Sequence, residues 1–270
     1  MTKTLVENIE AIPPLPESVQ AVERVYNDPE STFEDFTKII EKDPLLAANV
    51  LKIVNSPLFG LPRKISSISQ AVSLLGKDAI RTCALGSVID ENFDIDLSPY
   101  NMTKEDFAKA CELQLSLAVN WVGKVDRSML GILSPAAFLV DLGRVVIAKT
   151  LIEDGKVDII QHALMAGEDI SQAEKTACGA QATDVTATLF TKWKFDPDTV
   201  HIIRYSDDPE GANPDEVKMA AYLKAIRESV LPNGDITDDS IAEAKETIEE
   251  FELDEAKYDE AIEKIREAGL

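Results

Sequence analysis

The chain has 270 residues, 45% of them apolar, and carries 49 acidic against 27 basic side chains for a net charge of −22. That length allows one large domain or about two, and the apolar content supplies a core, which excludes wholesale disorder. Nucleic acid is a poor partner for such a chain, because a phosphate backbone is gripped mainly by Lys and Arg and no basic run occurs.

The N-terminus, MTKTLVENIE, lacks the basic start and apolar run of a secretory leader. No stretch approaches the roughly 18 uncharged apolar residues of a membrane helix. The expectation is a soluble cytoplasmic protein with no membrane partner. Cys83, Cys111 and Cys178 lie far apart in apolar or small-residue contexts, which suits buried reduced thiols better than a redox or metal pair.

Helical spacing dominates from the start. In "STFEDFTKIIEKD", Ser31-x-x-Glu34 predicts a capping box, followed by Phe33, Phe36, Ile39 and Ile40 at helical intervals. Asp43-Pro44 predicts the next helix start, which runs to Asn55-Ser56-Pro57 and a Gly- and Pro-bearing loop, "SPLFGLPRKI". Ser67-x-x-Gln70 opens a short helix ending at Gly76, and "KDAIRTCALGSVIDENF" reads as another. The pattern breaks at "DIDLSPYNM", near residues 93–102, which is the expected lobe boundary.

Thr103 is the expected cap of a helix running to about Lys124. "SPAAFLVDLGRVVIAKTL" predicts one helix from near Ser134-Pro135, followed by others near 154–167, after Ser171-x-x-Glu174, from Pro197 to about Tyr205, and from about Pro214 to Val230. The turn-rich "DDPEGANPDE" separates the last two. Residues 231–270 hold fourteen acidic and four basic side chains, yet Ile241, Ala244, Ile248, Phe251, Tyr258, Ile262 and Ile265 keep helical spacing. Such a run reads first as a solvated acidic face.

Chemistry-bearing constellations are scarce. His162 and His201 are 39 residues apart and neither has a ligand partner of the right type at i+3 or i+4, and no P-loop or dinucleotide-binding glycine pattern occurs. Asp207-Asp208 sits in the turn-rich loop, where solvation is the plainer role.

Ile12 to Leu85 carries a set of marks in one order: "PPLP", Asp43-Pro44 with a Leu-rich helix, Asn55-Ser56, and "SISQAVSLLG". In these the chain resembles the HDOD family, the HD-related output domains of bacteria. The likeness continues more weakly through "FAKACELQLSLAVNW", the Asp141 stretch and "EKTACGAQATDVTATLFTKWKFDP", to about residue 210. The related HD hydrolases hold metal with histidines on several helices and a His-Asp pair. By position those ligands fall near Ala110 or Cys111, at Val140 with Asp141, near Ala182, and near Tyr205 and Ser206. Only the aspartate remains, and one carboxylate without imidazoles supplies neither the affinity nor the geometry of a metal site.

The resemblance implies an all-α fold of two lobes, residues 1–95 and an HD-like 103–230, followed by an acidic helical tail, 231–270. It implies a signalling output or scaffold module with no catalytic residues, metal or cofactor, acting in trans on another signalling protein. The expected binding surface is an inter-lobe groove near Asn55, Ser56, Arg81, Asp141 and Arg144. Asp141 is expected to be held by backbone N–H groups or by Arg144. A metal-dependent phosphohydrolase of the HD type and a non-hydrolysing receptor for a small anion such as a cyclic dinucleotide are the alternatives.

Overall fold

The computed structural model describes residues 1–56, 61 and 63–267, with the backbone alone at 89–92. The described residues form helices and turns with no strand. Half of the loop expected over 56–65 lies outside them.

The first helices are α1 (Lys3–Ala11), α2 (Glu17–Tyr26), α3 (Phe33–Glu41), α4 (Pro44–Val54) and α5 (Ile68–Asn92). The capping box of α3 sits one residue later than its sequence suggests, on Thr32 and Asp35. Ser31 is engaged elsewhere, accepting from Lys77 Nζ through both its carbonyl and its hydroxyl. Asp43 caps α4 as expected, accepting from the N–H groups of Leu45 and Leu46. Gly76 does not end a helix but kinks α5, with a φ of 86° that favours glycine.

The chain continues through α6 (Lys104–Leu117), which runs by a π turn into the short α7 (Gly123–Val125), and then α8 (Leu130–Leu139) and α9 (Leu142–Asp154). The stretch from Ser134 to Leu151 is therefore two helices broken at Val140-Asp141 rather than one, and Pro135 lies inside the first. A proline cannot donate to the carbonyl four residues back. That carbonyl, Gly131 O, instead accepts from Arg81 Nη1 at 2.8 Å.

The remaining helices are α10 (Val157–Ala166), α11 (Ile170–Cys178), α12 (Ala182–Lys192), α13 (Pro197–Arg204), α14 (Val217–Ser229), α15 (Asp238–Glu250) and α16 (Glu255–Glu267). Asp169, not Ser171, caps α11, because Glu174 is drawn into the interior.

Helices α2 to α5 pack together, and α6, α8, α9 and α12 to α14 build the second layer around α8 and α9. Helix α1 crosses the expected boundary and lies on α9. Thr2 N donates to Cys178 O at 2.8 Å, Asn8 Nδ2 donates to Thr150 Oγ1, and Lys192 Nζ takes up the carbonyls of Ile9, Glu10 and Ile12 at the end of α1. Gly143 permits the close approach of α9 to α12, since a Cβ there would lie 2.1 Å from Ala182 O.

The acidic tail is built into the body. Trp121 sits edge-on between Tyr222 and Tyr258, at 4.8 and 5.0 Å, and donates its indole N–H to Asp254 O. The segment Arg127–Asp154 is long and apolar enough to cross a membrane, but 89% of its most apolar window is buried inside this fold. Its apolarity is that of a core.

Candidate functional site: a buried ion-pair centre at Asp141

Asp141 occupies the break between α8 and α9, with a φ of −91° and a ψ of 7°. Its side chain caps nothing and turns inward, leaving the residue 6% exposed. Oδ2 accepts from Gln114 Nε2 of α6 at 2.9 Å. Oδ1 faces two guanidinium groups, Arg144 Nη2 at 3.5 Å and Arg227 Nη2 at 3.4 Å. The expected backbone donors are thus replaced by one amide and two cations, of which Arg144 was the expected one.

Each cation has a second acid. Arg227 pairs with Asp207, whose other oxygen accepts from Thr183 Oγ1 at 2.7 Å. Arg144 Nε lies 3.5 Å from Glu174, and its guanidinium lies 5.4 Å from the Tyr100 ring centre. Glu174, fully buried, accepts from Tyr100 OH at 2.8 Å and from Ala182 N at 2.7 Å. That last bond places a carboxylate at the N-terminus of α12, where the helix dipole favours it. Thr186 Oγ1 donates to Val140 O at 2.7 Å and also accepts from Gly143 N, closing the break.

Burial alone would raise the Asp141 carboxyl, but the charges of Arg144 and Arg227 and the Gln114 amide outweigh it and hold it below the usual carboxylate range. Asp207 is lowered in the same way, chiefly by Arg227 against its burial. At Glu174 burial wins, and the carboxyl is raised despite the Arg144 charge and its two hydrogen-bond donors.

The HD-type metal implied by the family does not fit these residues. Among the described residues no three His, Cys, Asp or Glu side chains converge as a ligand set. Arg144 Nη1 and Arg227 Nε are buried without a protein hydrogen-bond partner. These are cationic donors, whereas a divalent ion needs acceptors. The residue of α6 that meets Asp141 is Gln114, one turn beyond Ala110 and Cys111. Val140 is fully buried, Ala182 contributes only its backbone N–H, and Asp207 follows directly on Tyr205 and Ser206.

The five residues singled out in the sequence do not share one pocket. Asp141 and Arg144 meet in the buried centre. Arg81 is 4% exposed and forks onto Glu23 at 2.7 and 2.8 Å, with its guanidinium 4.3 Å from the Tyr26 ring centre, so it fastens α5 to α2 and α8. Asn55 and Ser56 line a separate open groove, where Ser56 stands beside Glu112 of α6. Gln114 and Arg227 are not singled out in the sequence, and Glu174 and Asp207 read there as a capping and a solvated loop residue. Arg227 did leave a signal: with Ala220 and Leu223 it falls on the apolar stripe of α14, an odd place for a cation unless it is paired.

A protein of Treponema pallidum named only as uncharacterised is 30% identical over 76 residues, which is 28% of this chain and 15% of that relative, so the chain spans a small part of its length. A virulence factor of Campylobacter jejuni is similar in structure with 26% identity and a TM-score of 0.60, covering 98% of this chain and 95% of that one. A candidate phosphohydrolase of Shewanella amazonensis is similar with 21% identity and a TM-score of 0.69, covering 99% and 97%. At that lower identity the likeness shows the fold alone. The family model for the HDOD domain matches residues 12–209, from the end of α1 to the Asp207 loop. With most of its length so matched, and with the all-helical architecture described above, the chain belongs to the HDOD family.

Proposed function

We propose that this protein is a non-catalytic output or scaffold module of signal transduction, which works by binding another protein. The observation that carries this reading is the pair of guanidinium groups on Asp141. The one acid retained from an HD-type site is already neutralised by the chain's own cations, in a place where a hydrolase would need a metal and a water. A buried carboxylate matched in this way is a structural element, and removing a partner would leave an uncompensated charge.

Arg81 and Arg144 are likewise committed to internal acids, which weighs against a small-anion receptor built on them. Of the residues singled out in the sequence, Asn55 and Ser56 line an open groove, and this reading takes that groove as the partner's surface. The test is direct. The purified full chain, offered Mn, Fe or Zn in turn, is expected to hold no stoichiometric metal and to leave bis(p-nitrophenyl) phosphate and cyclic dinucleotides intact. Stoichiometric metal with hydrolysis, both abolished by Asp141→Ala, would overturn the reading.

A further inference from the structure

We propose that the groove beside Asn55 and Ser56 docks an acidic, amphipathic segment of the partner protein. This rests on the non-catalytic reading and names the chemistry of its partner. The groove, about 930 Å³, lies between the C-terminal half of α4 and the chain returning toward α5. Leu51 and Ile65 give it a half-buried apolar wall, while Lys52, Arg63 and Lys64 stand exposed at its rim.

No Asp or Glu is among the described residues that line it. Lys52 feels Glu112 through space, but Arg63 and Lys64 have no ion pair with a described acid. On a chain with 49 acidic and 27 basic side chains, this is a local reversal of sign. At about 0.1 M salt charges are screened beyond roughly 10 Å, so a ligand in the groove meets these cations first. The chain's net charge of −22 disfavours an acidic partner in general, so a groove lined by cations is where one would bind.

Asn55 sets the geometry of the rim. Its Nδ2 donates to Leu51 O at 2.7 Å and to Ile65 O at 2.9 Å, and its Oδ1 accepts from Ile65 N at 2.7 Å. The returning chain is thereby pinned to α4, which holds Arg63 and Lys64 at the same groove as Lys52 before any partner arrives. Such preorganisation lowers the ordering cost of binding. The groove pairs these cations with the apolar wall of Leu51 and Ile65, which suits a peptide better than a compact anion. The apolar wall asks for apolar side chains between the acids.

The experiment uses the full chain and a fluorescein-labelled peptide of Glu-Glu-Leu repeats, followed by fluorescence anisotropy. Saturable binding is expected at low ionic strength, weakening steeply as salt rises toward about 0.3 M. The Lys52→Glu/Arg63→Glu/Lys64→Glu variant is expected to bind roughly tenfold or more weakly. Lys218→Glu, which changes a cation away from the groove, should bind as the wild type does. Circular dichroism of the triple variant should match the wild type, and Arg63→Gln/Lys64→Gln provides a milder form if it does not. The proposal is overturned if the peptide does not bind the wild type, or if both groove variants bind it equally well. Tighter binding of a single-stranded oligonucleotide of equal charge, or displacement by inorganic pyrophosphate at micromolar levels, would overturn it too. None of these outcomes bears on the metal and hydrolysis assays, so the two readings fail separately.

Discussion

The Asp141 centre and the Asn55 groove both contain residues that mark the chain as HDOD-like, yet they dispose of charge in opposite ways. At Asp141 five ionisable side chains, Asp141, Arg144, Glu174, Asp207 and Arg227, answer one another within the protein. In the groove Arg63 and Lys64 face outward without a described acid. Burial explains the difference. A charge removed from water must find its counter-charge inside, whereas a solvated one can wait for a partner. Polar chemistry in the interior is therefore weak grounds for an active site in this protein.

The sharpest way to break the contrast is Arg227→Met, which leaves Asp141 and Asp207 buried with one cation fewer. Urea denaturation is expected to show a loss of about 3–5 kcal/mol. Asp141 and Asp207 titrate below the usual carboxylate range, so the stability they contribute is present above that range and is lost as pH falls through their lowered values. The variant should flatten this acid limb. A loss below about 1 kcal/mol would mean that the centre is not held by ion pairs.

Glu228 lies between the two extremes. Burial pushes its carboxyl up to about 7, opposed by the Thr247 hydroxyl and by Lys224, and its side chain is 16% exposed. The folded state thus holds a proton that the unfolded state releases near 4.5, and stability falls as pH rises from there to about 7. Glu228→Gln should raise stability at alkaline pH by up to about 2 kcal/mol and change little below the lower value. A gain that does not depend on pH would point to packing instead. The smallest effect is expected in the groove, where reversing Lys52, Arg63 and Lys64 together should move stability by no more than about 0.5 kcal/mol. A larger loss would show that these cations serve the fold.

The tail sharpens the comparison further. Arg227 lies on α14, beyond the matched segment 12–209, yet it neutralises Asp141 within it. The helices after residue 209 are thus part of the centre and, through Trp121 and Tyr258, part of the core.

Helix starts such as Asp43-Pro44 and Thr103 and the apolar spacing of the tail helices were legible in the chain. They depend on neighbours a few residues apart, where periodicity and capping act. The α8–α9 break, the inward turn of Glu174 and the pairing of Arg227 with Asp141 were not. Glu174 at a capping interval from Ser171, and Asp207 in a loop rich in turn residues, satisfy local rules for solvated positions. Only the packing of α6, α11, α12 and α14 around Asp141 removes water from these groups. Once water is gone, long-range pairing outweighs the local preference.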